Sequence, residues 1–467
     1  MGYAVQSPSP VLLTGGALIV ALAVGMALPL YAEAMSGSAV RLLALPALLV
    51  LAILFLYDRV LLLALVLLFR AAGDLVFEST RVELGGLAIG FGGLVNAFVI
   101  LIAVLLVAAR PDRFPRRIAA PWAAFLIAAL IGVGIAPNLG EAVRGYLGLL
   151  SYFAVFVSAF YFVKGEGDFK VCVKLVLLSS LLPAAYGLVE LGLHGAAGGL
   201  HAFRLKSTFA HPNIFAFYLT LVLLVALYAL KSPAVVLRPL RRTLLTAYVP
   251  LLLGLLLLTQ TRSAWVACFA IFALYALLFE RRYLIYLMLA PALALLVPGV
   301  RERVLELGSG NEIVQYAKLN SFAWRLQIWE YGLRWIRPDH LPLGYGLGAF
   351  KHFAPVFFPY SGGVNFGAHN IYVQILFELG ALGLAAFAWL FARLFGTLRR
   401  MAVVDRLGAF VAIALVVEYL IISASDNVLA YLAFNWYVWF VLGAACAVAL
   451  SRAETGKGTT HMEGDRA

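Results

Sequence analysis

Three residues far apart in the chain have the types that one reaction would need. His369 stands in Gly367-Ala368-His369-Asn370-Ile371-Tyr372-Val373-Gln374. Imidazole takes a proton near neutral pH without a special environment, so it suits general acid–base work. Arg262, within Thr259-Gln260-Thr261-Arg262-Ser263, and Arg325, within Trp324-Arg325-Leu326-Gln327-Ile328-Trp329, carry guanidinium. That planar donor pairs bidentately with phosphate oxygens. Singly, each has a plainer reading: His369 as a helix-capping residue, Arg262 as an arginine reaching to a membrane surface, Arg325 as a solvated cation. Further candidate substrate contacts are Arg204, Lys206 and His211, in Arg204-Leu205-Lys206-Ser207-Thr208-Phe209-Ala210-His211-Pro212-Asn213, and Asn370 and Tyr372 beside His369. A turn plus helix cap explains His211 and Asn213 equally well. A helix starting after His369 would aim its free N–H groups at an anion.

What must position these residues is a membrane-spanning bundle. Of the 467 residues, 64% are hydrophobic and 12% charged, about half the charged fraction of a soluble domain. Apolar stretches long enough to cross about 30 Å of hydrocarbon recur along the chain, about 12–14 of them. The expected fold is therefore an all-α polytopic membrane protein, since a barrel would show short alternating segments. Transmembrane helices are expected over 1–298, interrupted by a polar hairpin at 193–212. A large loop with interfacial helices covers 299–369, further spans follow over 370–450, and 451–467 form a tail. The first span is expected near 11–31, the third, near 60–72, is short, and the fourth is expected over 84–109.

Charge orients this bundle. With the N-terminus in the cytoplasm, the basic links at 110–117, 231–242, 280–282 and 393–406 and the C-terminal tail all fall inside, as the positive-inside rule requires. This accounts for most of the +12 net charge without nucleic acid as a partner. Arg204, Lys206, Arg262, Arg325, Arg334 and Arg337 then lie outside, against that trend. On the outer loop, Phe322, Leu326, Trp329, Leu333 and Ile336 recur at helical spacing and suit a helix at the membrane interface.

Other chemistries find little support. Cys172, Cys268 and Cys446 sit in apolar runs without metal spacing and read as packing residues. No pattern suggests a metal or a cofactor. Leu343-Gly344-Tyr345-Gly346-Leu347-Gly348 lacks the strand and Lys-Ser/Thr of a phosphate loop, so a turn is the better reading. Arg70, Asp74, Lys174, Glu190, Glu378 and Glu418 are costly within spans unless paired. Glu418 is expected to be a structural hydrogen-bond partner, with a proton relay as the alternative.

With these motifs in place, the chain resembles the O-antigen ligase and O-antigen polymerase superfamily of bacterial inner membranes. The resemblance rests on Thr259-Gln260-Thr261-Arg262-Ser263-Ala264-Trp265, on Arg325-Leu326-Gln327-Ile328-Trp329 with Pro342-Leu343-Gly344-Tyr345-Gly346, and on His369-Asn370 through Gly380. The hairpin Ser207 to Asn213 also fits, and the resemblance covers roughly residues 200–400. It implies a membrane glycosyltransferase architecture of the GT-C-like kind and an inverting, metal-independent transfer. The donor would be an undecaprenyl-diphosphate-linked glycan, used at the periplasmic face with both termini cytoplasmic. It assigns His369 as the catalytic residue and Arg262 and Arg325 to the diphosphate. The acceptor would be lipid A-core in a ligase, or a second lipid-linked glycan in a polymerase. The competing class is an anion or lipid-linked substrate transporter, which the lack of an internal repeat disfavours.

Overall fold

The computed structural model describes residues 49–79, 82–84, 87–163, 165–196, 203–296, 298–305 and 321–463. In chain order the helices are α1 (49–57), α2 (Arg59–Arg70), α3 (Asp74–Ser79), α4 (Phe91–Ala109), α5 (Arg116–Gly134), α6 (Leu139–Phe162), α7 (Glu166–Ser179) and α8 (Leu181–Ala196). They continue with α9 (Pro212–Lys231), α10 (Pro239–Leu258), α11 (Arg262–Leu278), α12 (Tyr283–Ala294), α13 (Pro298–Leu305), α14 (Ser321–Trp335), α15 (Ala349–Phe357), α16 (Ile371–Met401), α17 (Arg406–Ser423) and α18 (Leu432–Glu463). The chain is an all-α polytopic membrane protein with one small hairpin, β1 (Val82–Leu84) and β2 (Leu87–Ile89).

Among the described residues nine helices are long and apolar enough to cross a membrane, or ten if α12 and the 299–305 helix, bent by 92°, count as one span. The expected count was higher. The apolar run near 11–31 lies outside the described residues. The third expected span is the 12-residue α2, about 18 Å long and too short to cross. The fourth begins at Phe91 instead of 84, because Val82–Leu84 pairs antiparallel with Leu87–Ile89. Gly85-Gly86 between two short apolar runs is a hairpin signal that a hydropathy count overlooks. The last helix runs to Glu463, past the expected end at 450.

Contacts sort the helix ends onto two sides. On one, Tyr161 Oη donates to the Arg110 carbonyl at 2.8 Å, and Lys231 Nζ lies 2.7 Å from Glu280 Oε1. The opposite ends of α9 and α11 carry the 204–213 and 259–262 segments, and Asn213 joins these to Asp426 and, through it, to His369. α9 and the spanning part of α18 are each 94% buried, against 17% for α10 and 22% for α4, so α9 and α18 form the centre. Aromatic rings fill the space around them, with Trp122 edge-on to Trp439 at 4.6 Å and Tyr218 against Tyr437 at 4.9 Å.

α16 is broken at Gly380, where φ is 67°. A break inside a span frees backbone groups that lipid cannot satisfy. The 341–346 segment satisfies them. Tyr345 and Gly346 N–H donate to the Phe377 and Glu378 carbonyls, each at 2.9 Å, and Ala381 N–H donates back to the Leu341 carbonyl at 2.8 Å. The approach is close enough to require glycine. A Cβ on Gly344, where φ is 74°, would stand 2.5 Å from the Glu378 carbonyl carbon. The glycine turn is thus a backbone lock for α16. Glu378, expected to be costly, accepts the N–H groups of Gly348 and Phe350 and Gln374 Nε2, and so caps α15.

The outer loop has its own aromatic cluster, built from Ile328, Tyr345, Phe350, Phe357 and Phe377. α14 turns Ala323, Ile328 and Gly332 towards the protein and splits the expected apolar stripe: Phe322, Leu326 and Leu333 are exposed, whereas Trp329 and Ile336 pack against the cluster. Small residues decide this, because a Cβ on Gly332 would stand 2.8 Å from the Phe350 ring.

Candidate active site

His369 lies one residue before the cap of α16. Asn370 Oδ1 accepts the N–H groups of Tyr372 and Val373 at 2.9 and 3.1 Å. His369 itself has φ 48°, a backbone conformation that costs a non-glycine residue energy and persists only where the surroundings enforce it. Three contacts do so. Trp329 Nε1 donates to the Ala368 carbonyl at 2.6 Å, and the Trp324 ring stands edge-on to the imidazole at 6.1 Å. Gly367 presses against the Asn427 amide, where any Cβ would collide. The outcome is His369 Nδ1 placed 3.5 Å from Asp426 Oδ1, with the imidazole partly open and the carboxylate 1% exposed.

Asp426 is the residue that sequence reasoning missed. Tyr431 Oη and the Asn427 N–H donate to its Oδ1 at 2.7 and 2.9 Å, and Asn213 Nδ2 donates to Oδ2. Burial alone would push this carboxyl up, but hydrogen bonds from His369, Tyr431 and Asn213 outweigh it and hold the carboxyl below its usual range. An ionised carboxylate only accepts. The imidazole nitrogen facing it therefore carries the hydrogen, which leaves the Nε2 lone pair to the cleft.

Four guanidiniums link to this pair: Arg204 acts on Asp426, Arg262 and Arg303 act on Arg204, and Arg325 acts on Tyr431. Arg204 donates from Nε to the Thr259 carbonyl at 3.1 Å, and from Nη2 to Asn213 Oδ1 and Thr261 Oγ1 at 2.8 and 3.2 Å. It ties the start of α9 to the α10–α11 junction. Arg262, the first residue of α11, donates to the Arg303 carbonyl and to Ser321 Oγ, both at 3.1 Å. Ser321 begins α14, and Arg325 lies one turn further on the same face. The charge of Arg325 acts on both His211 and Tyr431. Arg303, which the sequence did not single out, donates from Nε to Gln260 Oε1 at 3.3 Å.

These cations repel one another. Burial, with Arg303 and Arg262 adding to it and Asp426 opposing, lowers the pKa of Arg204 to about 10. An anion bound among them would relieve this repulsion. His211 caps α9 by accepting the Asn213 N–H at Nδ1, 3.1 Å away. Desolvation depresses its pKa, Asp426 opposes, and Arg204, His369 and Arg325 add to the depression. A neutral imidazole at that position keeps its accepting lone pair.

The remaining candidates sit elsewhere. Lys206 is exposed on the loop surface. Asn370 spends its side-chain oxygen on the helix cap, and Tyr372 Oη donates to the Leu420 carbonyl at 2.8 Å, joining α16 to α17. Glu418, expected to find a hydrogen-bond partner, has none for either oxygen among the described residues. A signal for Asp426 existed in the sequence: Ser425-Asp426-Asn427 is a polar step between the last two apolar runs, on the outer side by the same charge parity.

Comparison with known proteins bears on the middle of the chain. No curated protein matches it. Residues 247–388 match a family model described as O-antigen ligase. The matched stretch runs from within α10 into α16 and contains Arg262, Arg325 and His369, whereas Arg204, Asn213 and Asp426 lie outside it. Over residues 247–388, this multi-pass membrane protein is similar to the O-antigen ligase family.

Proposed function

We propose that the chain transfers a glycan from undecaprenyl diphosphate to a hydroxyl of lipid A-core at the periplasmic face of the inner membrane. The observation that carries this reading is the His369–Asp426 pair, joined through Asn213 to Arg204, on which Arg262 and Arg303 act, with Arg325 acting on Tyr431 beside Asp426. The basic turns at 110–117, 231–242 and 280–282 lie at the helix ends opposite the site. By the positive-inside rule those ends, and both termini, are cytoplasmic and the site is periplasmic.

In the reaction, the arginines hold the diphosphate and neutralise the charge that builds on it as it leaves. Fixed donors in a water-poor cleft do this without reorganisation, and removing one typically costs about 10²–10³ in rate. His369 Nε2 takes the proton of the acceptor hydroxyl. The hydroxyl oxygen bonds to the anomeric carbon from the face opposite the diphosphate. The bond from that carbon to the diphosphate oxygen breaks, and its electron pair departs on undecaprenyl diphosphate, which inverts the centre. Asp426 holds the imidazole tautomer and stabilises the imidazolium that forms. Because arginines supply the positive charge, transfer is expected to persist in EDTA.

The deciding experiment is a deletion strain analysed by lipopolysaccharide gel and by extraction of lipid-linked glycan. Unsubstituted lipid A-core with polymer accumulating on undecaprenyl diphosphate is the expected result. Single repeat units on lipid A-core would make the protein a polymerase. Unchanged lipopolysaccharide, with counterflow of a labelled anion and no covalent product, would replace the reading with a carrier.

A further inference from the structure

We propose that the buried Arg70–Asp74 ion pair is a positioning device for the 204–213 segment and, through Asn213, for Asp426 and His369. The inference rests on the reading of the site given above. It concerns residues remote in sequence from every candidate for chemistry.

Asp74 has two jobs. Its Oδ1 lies 3.1 Å from Arg70 Nη1, with both side chains more than nine-tenths buried. Its Oδ2 accepts the N–H of Ala210 at 3.2 Å. Around that bond, Thr208 Oγ1 donates to the Ala71 carbonyl at 2.8 Å, and Leu75 N–H donates to the Thr208 carbonyl at 3.1 Å. The 208–210 segment is thus fastened to the α2–α3 corner by backbone and side chain together. On its other flank, Glu190 Oε2 accepts the N–H of Ser207 at 2.6 Å, where the backbone has φ 54°.

The corner is itself rigidly seated. The Arg70 guanidinium lies 4.6 Å from the Phe77 ring and 5.6 Å from the Trp436 ring. Tyr437 Oη accepts the Ala71 N–H and donates to the Leu67 carbonyl. Trp436 and Tyr437 belong to α18, the most enclosed helix together with α9. Load therefore passes from α18 through Arg70 and Asp74 to Ala210, and one step further reaches His211 and Asn213. Asn213 donates to Asp426, and Asp426 faces His369. Catalysis is sensitive to small displacements of a positioned group, so loosening Ala210 would be felt at His369. Of the four arginines only Arg204 belongs to the 204–213 segment, and the Thr259 carbonyl and Thr261 Oγ1 hold it from the α10–α11 junction independently of Asp74, so donor binding should be largely spared.

Removing one partner of a buried ion pair leaves an uncompensated charge, whereas replacing both with apolar residues is often tolerated. The test therefore compares two double variants of the full chain, purified in detergent: Arg70→Met/Asp74→Leu and Arg70→Met/Asp74→Asn. Both lose the ion pair, but only the asparagine retains an acceptor for the Ala210 N–H. With an undecaprenyl-diphosphate glycan as donor, the leucine variant is expected to lose about tenfold in kcat while its donor KM stays within about twofold. The asparagine variant is expected to recover most of that loss. Amide exchange in the 204–213 peptide should be faster in the leucine variant than in the asparagine variant. Equal kcat and equal exchange in the two would overturn the proposal. Should the leucine variant fail to fold, Thr208→Val removes one fastening with little change of shape. A lowered kcat at unchanged KM is expected there, and wild-type kcat with wild-type exchange would overturn the proposal. A wild-type protein without transferase activity would refute the proposed function instead, and the exchange comparison would still decide the role of the clamp.

Discussion

Asp426 and Glu418 are both buried carboxyls near the end of the chain, yet the protein treats them oppositely. Asp426 is met by Tyr431, Asn213 and its neighbour's N–H, and faces His369. Both oxygens of Glu418, within α17, lack a partner among the described residues. Hydrogen bonds to a buried carboxylate have to be supplied by other parts of the fold, and an acid left without them is a cost. The contrast teaches where this protein concentrates its polar organisation. It brings four groups to Asp426 and none to Glu418, so under the proposed function the first serves the site and the second is a tolerated burden of the bundle.

The largest effect should come from breaking the favoured side of that comparison. Asp426→Asn is expected to lower transfer about 10²-fold or more, since an amide no longer dictates the His369 tautomer. A rate assay on purified protein checks this. The carboxyl of Asp426 is held below its ordinary value, so its contribution to stability is full above about pH 4 and is lost as pH falls through the lower folded value. Melting temperature against pH should show that acid limb in the wild type and a weaker one in Asp426→Asn.

A somewhat smaller loss is expected from Arg262→Lys. The charge survives, but the bonds to the Arg303 carbonyl and Ser321 Oγ leave from two separate guanidinium nitrogens, a planar fork that the single nitrogen of an ammonium does not reproduce. A drop of about 10²-fold in kcat/KM is predicted, and a loss below about threefold would remove Arg262 from the diphosphate site. Gly344→Ala tests the scaffold. Its Cβ would meet the Glu378 backbone in a positive-φ position, so a destabilisation of about 3 kcal/mol is expected, read as a lowered melting temperature. The smallest effect should be at the other pole of the comparison. Glu418→Leu removes two orphaned oxygens, so it should leave transfer unchanged and raise stability by about 1 kcal/mol. Loss of transfer there would show that the contrast had been misread.

Much of this arrangement was legible in the sequence because it depends on short-range pattern. Apolar run length gave the helical bundle, while basic turns supplied the proposed orientation and residue type put forward His369, Arg262 and Arg325 as candidates. What escaped has a common physical cause: it depends on pairing between distant segments. Asp426 gains meaning only when Asn213 and Tyr431 surround it. Asn370 and Tyr372 read as candidate substrate contacts beside His369, and their further bonds, in the helix cap and to the Leu420 carbonyl, appear only in the fold. The glycine turn reads as a plain loop until the break at Gly380 shows which carbonyls it serves. The stripe on α14 was correctly seen as apolar and helical, but its direction was set by Ala323 and Gly332, whose small size lets the opposite face approach Phe350.

The central claim is that His369, backed by Asp426, takes the acceptor proton while the arginines hold the leaving diphosphate. It is tested most directly by single-turnover transfer with purified His369→Ala at saturating lipid-diphosphate glycan, with donor affinity measured on the same preparation. The account predicts that transfer falls about 10³-fold or more while donor affinity stays within about threefold. Transfer at the wild-type rate, or a loss explained wholly by weaker donor binding, would contradict it.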